Sequence, residues 1–169
     1  MKSVVFAILL VFMPPVYALD IDPANSVLGV PWDSSEEGAE KILGKSNGFF
    51  QATKYKKYVF YGKSIALVFE REKLKGFIYS EYLLVPLINE AVSVNPQFSS
   101  PQIEMNGVKL NEVAFSELAL KLPFKLGSPA YQVQVATDET QIQFNFSSTS
   151  MQGSKEEFKF SGLEIHYEL

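Results

Sequence analysis

Residues 140–146 read Thr-Gln-Ile-Gln-Phe-Asn-Phe, an unbroken alternation of polar and apolar side chains. Successive side chains of a β-strand point to opposite faces, so this pattern predicts a strand that buries Ile142, Phe144 and Phe146. Residues 131–136 alternate in the same way, and the acidic residues between the two stretches indicate a turn. The carboxyl-terminal half is therefore predicted to contain an antiparallel sheet.

Further strands are predicted where aromatic and β-branched residues cluster between turn residues. They cover residues 55–61, 64–70, 76–84 and 157–168, and the last of them is expected to be broken or bulged at Gly162. The first three follow one another closely, which is typical of an antiparallel meander.

A short helix is predicted to begin within residues 33–37. A short oxygen-bearing side chain at a helix start accepts from an unpaired amide, and a glutamate three residues later reaches back. This pattern leaves two possible capping pairs, Asp33 with Glu36 or Ser34 with Glu37.

A second helix, predicted over residues 111–122, repeats the order of elements in the first half. Each helix is followed by a Leu-Gly step, at Gly44 and Gly127, where glycine suits a left-handed C-terminal cap. The predicted fold class is α+β, with two helix-plus-antiparallel-meander repeats forming one curved sheet and the helices packed on it. The boundaries are 1–18 for a leader, 19–84 for the first repeat, 85–101 for a connector and 102–169 for the second repeat.

The amino terminus has the pattern of a cleavable secretory signal peptide. Lys2 supplies a positive charge, an uninterrupted apolar run follows, and small residues at Val16 and Ala18 suit signal peptidase. Cleavage is predicted between Ala18 and Leu19. The apolar run is about half of the ~20 residues that a spanning helix needs, so no membrane span is expected after cleavage. We therefore predict export, and specifically a periplasmic (or secreted) protein.

Composition narrows the class of partner. The chain has no cysteine, so its fold cannot rest on disulfides, and 15 Lys and Arg stand against 19 Asp and Glu. A net charge of −4 at pH 7 gives no overall attraction for nucleic acid, and no nucleic-acid partner is expected. A hydrophobic content of 47% is typical of a packed globular fold.

The sequence favours a protein that is not an enzyme. His166 is the only histidine, so a Ser-His site would have to use it, and a histidine-rich metal site cannot form. No phosphate-binding glycine loop, calcium loop or His-Glu-x-x-His sequence occurs. We expect no cofactor and no metal site, and carboxylates distant in sequence are the one remaining route to catalysis.

The candidate binding residues lie where lysines and tyrosines interleave. Tyr55, Lys56, Lys57, Tyr58 and Tyr61 combine cations with aromatic faces, the pattern of a surface for an acidic protein or a cell-wall polymer. The alternative is a strand whose tyrosines pack inward while its lysines protect a solvated face or edge.

Trp32 is the remaining candidate and the only tryptophan. Tryptophan is enriched at binding hot spots, and it equally serves as an apolar plug at the start of a helix. Residues 149–153, in a Ser/Thr-rich loop, are a further candidate contact.

The sequence LGVPWDSSEE at residues 28–37, followed by ILGK at residues 42–45, resembles the G-x-aromatic-x-S-x-x-E…L-G-x-P module of small periplasmic SmpA/OmlA-like proteins. As a tandem, the arrangement is similar to the β-lactamase inhibitory protein fold. The resemblance implies binding of another protein, as an envelope accessory, inhibitor or immunity protein. The lipidated cysteine of the first group and the disulfides of the second have no counterpart here. The alternative expectation is a binder of a small apolar or glycan ligand in an aromatic-lined cleft.

Overall fold

The computed structural model describes residues 18–80, 92–99, 101–148 and 158–168. Within these ranges the fold is α+β and mostly sheet, as predicted. The single curved sheet is not confirmed, because the strands divide into a seven-stranded and a five-stranded sheet. In chain order the elements are β1 (Ala18–Asp22), β2 (Ser26–Val27), β3 (Val30–Pro31), α1 (Glu36–Leu43), β4 (Gly48–Thr53), β5 (Lys56–Tyr61), β6 (Ile65–Glu70), β7 (Lys73–Ser80), β8 (Gln102–Met105), β9 (Val108–Lys109), α2 (Phe115–Lys121), β10 (Gln132–Ala136), β11 (Thr140–Ser148) and β12 (Phe158–Tyr167), with short 3-10 helices at Pro96–Phe98 and Leu110–Glu112.

The larger sheet is antiparallel throughout and has the order β10-β11-β12-β7-β6-β5-β4. The last strands of the two halves, β7 and β12, pair near its centre, while β4 and β10 form its two edges. The smaller sheet has the order β3-β2-β1-β8-β9, and the first strands of the two halves, β1 and β8, pair in parallel there. Both halves therefore contribute to both sheets.

One core lies between the inner face of the larger sheet, the smaller sheet and the two helices. Alternate residues of each strand point into it, so the side chains of β11 that the sequence predicts to be buried, Ile142, Phe144 and Phe146, are in fact buried. The opposite, outer face of the larger sheet is partly apolar as well. There Phe60 and Ala66 are buried beneath Val92.

The start of α1 differs in detail from the prediction. The N-cap is Ser35, whose Oγ accepts from the amide of Gly38 at 3.2 Å, so the expected cap at Asp33 or Ser34 is wrong. Asp33 instead lies 2.8 Å from the Nζ of Lys75. Gly44 ends the helix as expected, with a φ of 83° that glycine adopts without strain.

The second helix differs from its prediction, and the last strand agrees with its prediction. The predicted helix over residues 111–122 is a helix only from Phe115 to Lys121, because the chain first forms the short 3-10 turn. The irregularity predicted at Gly162 is present, since the register of β11 with β12 moves from Asn145↔Gly162 to Phe146↔Phe160. A Cβ on Gly162 would lie 2.9 Å from the carbonyl oxygen of Tyr79, so close backbone approach requires glycine there.

Several predicted segments lie outside the described residues: residues 1–17 of the leader, residues 81–84 of the third predicted strand, residues 85–91 and 100 of the connector, and the Ser/Thr-rich loop at 149–153. Residues 92–99 of the connector are described, and Phe98 there is buried against the ring of Tyr61 at 5.5 Å. Among the described helices, none is long and apolar enough to cross a membrane.

Candidate functional site

Strand β5 carries the candidate lysines and tyrosines on opposite faces of the larger sheet. Lys57 and Tyr61 lie on the inner side, towards α1 and the core. Lys56 and Tyr58 lie on the outer side, where Tyr58 packs beside Phe60. The alternation of a strand therefore divides the predicted patch between two surfaces.

Both lysines of β5 are held in ion pairs. The Nζ of Lys57 lies 2.6 Å from Oε2 of Glu36 and so ties β5 to the first turn of α1. Lys56 lies 2.9 Å from Oε1 of Glu70, and this hydrogen bond raises the pKa of Lys56 and lowers the pKa of Glu70. Both lysines therefore already have an acidic partner within the protein.

Tyr61 lies fully inside the core. Its hydroxyl group finds no hydrogen-bond partner among the described residues. Burial, with smaller contributions from Glu40 and Glu36, raises the pKa of Tyr61 to about 12. A partner cannot reach this side chain in the folded protein.

Trp32 is also buried. Its Nε1 donates to the carbonyl oxygen of Pro23 at 2.9 Å, and its ring stacks on Tyr167 with 5.2 Å between centroids and an interplanar angle of 5°. The structure thus places Trp32 as an apolar plug before α1, the second of the two interpretations considered from the sequence.

Tyr55 is the predicted residue that the structure leaves most exposed. It lies in the turn after β4, and its carbonyl oxygen accepts from the amide of Arg71 at 2.8 Å. The Nζ of Lys54 and the guanidinium carbon of Arg71 lie 5.5 and 6.0 Å from its ring centroid. An exposed aromatic ring between two cations is a surface suited to contact with another molecule.

Two exposed aromatic residues close to Tyr55 in the sequence are not among the predicted candidates. Phe49 and Phe50 lie on β4, Phe49 under the Nζ of Lys57 at 4.4 Å and Phe50 with its ring 6.3 Å from that of Tyr58. The signal was present, because Gly-Phe-Phe-Gln-Ala-Thr at residues 48–53 is uncharged and adjoins a predicted strand. We name Phe49, Phe50 and Tyr55 the aromatic corner.

The outer face of the larger sheet holds a second feature, an open depression of about 500 Å³. Tyr58 and Ile78 line one side of it, and amide side chains of β10 and β11 line the other. Gln134 donates to Gln143 at 3.0 Å, and Gln143 donates to Asn145 at 3.1 Å. The exposed His166 of β12 lies in the same depression, opposite Gly76 in the strand register.

Comparisons with known proteins add no constraint. The chain matches no family model, and neither the curated proteins nor the solved structures give a match. Within the described ranges, no three His, Cys, Asp or Glu side chains are grouped so that they could hold a metal ion. The resemblance to SmpA/OmlA-like proteins stays a prediction, and the geometry has to carry the functional argument.

Proposed function

We propose that this chain is an exported, non-enzymatic protein that binds another protein through the aromatic corner. The observation that carries the proposal is the exposure of three large apolar side chains within residues 49–55: Phe49 is 63% exposed, Phe50 47% and Tyr55 59%. Phe49 and Phe50 lie on opposite faces of one edge strand, and large apolar side chains exposed along an edge are a feature of interaction surfaces. The exposure of these side chains does not stabilise the free protein, so folding stability does not explain it.

The size and the surroundings of the aromatic corner fit a contact centre. Full burial of one phenylalanine stabilises by about 1.5–3 kcal/mol, so these side chains could supply the few dominant contacts of an interface. Lys54 and Arg71 beside Tyr55 provide a charged border. An apolar centre with a polar rim is the usual anatomy of a protein–protein interface.

The proposed export would bring the chain to the periplasm or the cell exterior, where it would meet its partner. The predicted leader ends at Ala18, and Leu19, the predicted first residue of the mature chain, is buried in the core. Strand β1, which carries Leu19, pairs with β8, so the new amino terminus would be fixed to the fold. An envelope accessory, an inhibitor and an immunity protein are the specific forms that this role takes.

Internal correspondence supports a second part of the proposal, that the chain is a duplicated helix-plus-meander unit. The turn before α1 has positive φ at Leu28 and Gly29 (56° and 75°), and the turn between β8 and β9, ahead of α2, has them at Asn106 and Gly107 (51° and 76°). Equivalent strands also meet, β1 with β8 and β7 with β12. These features favour the tandem arrangement that the resemblance to the β-lactamase inhibitory protein fold implies.

The test is capture of a partner from an envelope extract by the mature chain, residues 19–169, and by two variants. The first variant carries Phe49→Ser, Phe50→Ser and Tyr55→Ser. The matched control carries Gln132→Ser and Leu120→Ser, which alter exposed residues of the opposite edge strand, β10, and of α2. We expect one stoichiometric partner with the wild type and the control and loss of it with the first variant, at unchanged melting temperature. Equal capture by all three proteins would remove the aromatic corner from the proposal.

A second candidate function is glycan binding in the depression on the outer face. The observation in its favour is that Gln134 and Gln143 line the depression together with Tyr58, since amides and an aromatic ring suit sugar hydroxyls and ring faces. Titration with cell-wall oligosaccharides, followed by NMR, distinguishes the two. Shifts confined to the depression that Gln143→Ala abolishes would favour the glycan, and no shifts would leave the protein partner.

A further inference from the structure

The aromatic corner includes the centre of an edge strand. Among the described strands, β4 pairs with β5 on one side, and its other side is the boundary of the larger sheet. The strand has no proline and no charged residue, and its side chains beyond Gly48 are all exposed. An uncharged, exposed edge strand is a template on which another extended chain can pair.

Local hydrogen bonds make the carboxyl-terminal end of β4 irregular, whereas its amino-terminal part pairs regularly with β5. The side-chain amide of Gln51 donates to the carbonyl oxygens of Thr53 at 2.6 Å and of Lys56 at 3.2 Å, where the register with β5 shifts. Residues 48–51 keep a continuous register with β5 and therefore an extended backbone. The pairing surface is thus residues 48–51, with two phenylalanines at its centre.

Positively charged side chains lie next to the carboxyl-terminal end of β4. Lys54 and Arg71 surround the ring of Tyr55 there. Neither of them forms an ion pair with another described residue. The positive charge at this end is therefore available to a partner.

Positively charged side chains also lie next to the amino-terminal end of β4. Lys45 is exposed and lies just before it in the chain. Asn47 accepts at its Oδ1 from the amide of Gly62 at 2.7 Å, which holds the turn that carries Lys63 beside the start of β4. In the part of the chain that is described, neither lysine is in an ion pair.

We propose, resting on the protein-binding function argued above, that β4 receives an extended segment of the partner as an added strand. That segment has an apolar centre that packs on Phe49 and Phe50 and acidic residues at both ends. Backbone hydrogen bonds supply the pairing, the phenylalanines supply apolar contact, and the charges at the two ends fix the register.

A second copy of this chain fits the same edge poorly. In an antiparallel β4–β4 pair the two strands run in opposite directions, so the end with Lys45 and Lys63 in one copy lies next to the end with Lys54 and Arg71 in the other. Like charges would then meet at both ends of the pair. An acid-flanked segment of a different protein reverses the sign of both contacts.

Peptide binding to the mature chain tests the proposal. Two synthetic libraries of about ten residues, long enough at roughly 3.3 Å per residue to reach past both ends of β4, share a centre of consecutive Val, Ile or Phe residues, so that apolar side chains meet Phe49 on one face of the sheet and Phe50 on the other. One carries Asp and Glu at its ends and the other Lys and Arg. We expect binders, measured by fluorescence anisotropy, from the acidic library alone. Lys45→Glu with Lys54→Glu should weaken them about tenfold, and Lys109→Glu with Lys159→Glu, the same charge change on β9 and β12, should not.

Methylation of the peptide backbone separates strand addition from other contact at the same place. An added strand bonds through every second amide, so N-methylation of one alternating set should abolish binding and methylation of the other set should be tolerated. Equal effects of the two sets, no binder from either library, or a dimer in sedimentation equilibrium that Phe50→Asp dissociates would each overturn the proposal. A partner captured by the wild type and lost with the aromatic corner variant would still uphold the proposed function in those cases. Failure to capture any partner would count against that function itself.

Discussion

The two edge strands of the larger sheet, β4 and β10, are similar in length and differ in what covers them. Along β10, Val133 and Val135 turn towards the core while Gln132 and Gln134 face solvent. Along β4, both phenylalanines are exposed, one on each side of the sheet. The core ends at β5, where Val59 and Tyr61 are buried. β10 is therefore an edge whose apolar residues stabilise the fold, and β4 is an edge whose apolar residues do not.

The largest expected difference between the edges comes from placing the same charge on each. Val133→Asp would bury an unpaired carboxylate and should lower the free energy of unfolding by about 3 kcal/mol or more. Phe50→Asp places its charge in solvent and should cost less than about 1 kcal/mol, mainly through strand propensity. Urea unfolding of the two variants measures both values. Similar costs would mean that β4 is packed as firmly as β10, and the comparison would fail.

The next difference concerns a buried polar group near each edge. Thr140 on β11 is buried with its Oγ1 2.8 Å from Oγ1 of Thr137, whereas the buried hydroxyl of Tyr61 on β5 has no partner among the described residues. Thr140→Val should therefore destabilise by about 1 kcal/mol, and Tyr61→Phe should be neutral or stabilise by up to about 1 kcal/mol.

Alkaline pH sharpens the contrast for Tyr61. Its pKa of about 12 in the folded protein exceeds the ordinary value of 10.0, because burial opposes ionisation. The unfolded chain ionises first, so this tyrosine lowers stability progressively as pH rises from about 10 to about 12. Tyr61→Phe should lose less stability over that interval than the wild type, in urea unfolding at a series of pH values. Parallel pH curves would show that the hydroxyl group is solvated in the folded state.

These contrasts indicate how far the sequence could be interpreted. Alternation of apolar residues located β10 and β11, because a half-buried strand leaves a period of two in its own sequence, and clusters of aromatic and β-branched residues located β5, β6 and β12. The division into two sheets has no such local signal, since the parallel pairing of β1 with β8 joins residues 84 positions apart, Leu19 with Ile103 for example. Long-range pairing of this kind is decided by packing.

The candidate site followed the same division. Residue types alone indicated aromatic rings and cations near β5, and Tyr55 with its two cations is what that signal found. Pattern could not tell that Tyr61 and Trp32 are covered by Phe98 and Tyr167, which lie far along the chain. The sequence pattern also could not show that β4 is an edge strand. A strand is an edge when no further strand pairs with its second side, and this depends on the tertiary structure.

The smallest expected effect concerns the link that holds the β4–β5 end to α1. Glu36 and Glu37 both lie in the first turn of α1, so each interacts with the helix dipole in a similar way. They differ in their partners: Glu36 pairs with the half-buried Lys57 of β5, and Glu37 pairs with the exposed Lys41 on the same helix. Glu36→Gln should therefore cost about 0.5–1 kcal/mol, and Glu37→Gln should cost less, because its pair is exposed to solvent. High salt should weaken the Glu36–Lys57 pair less than it weakens an exposed pair, because the protein partly shields Lys57 from the solvent ions. Equal costs in thermal unfolding would show that α1 does not brace β5, and the exposed edge would then be held by its backbone ladder alone.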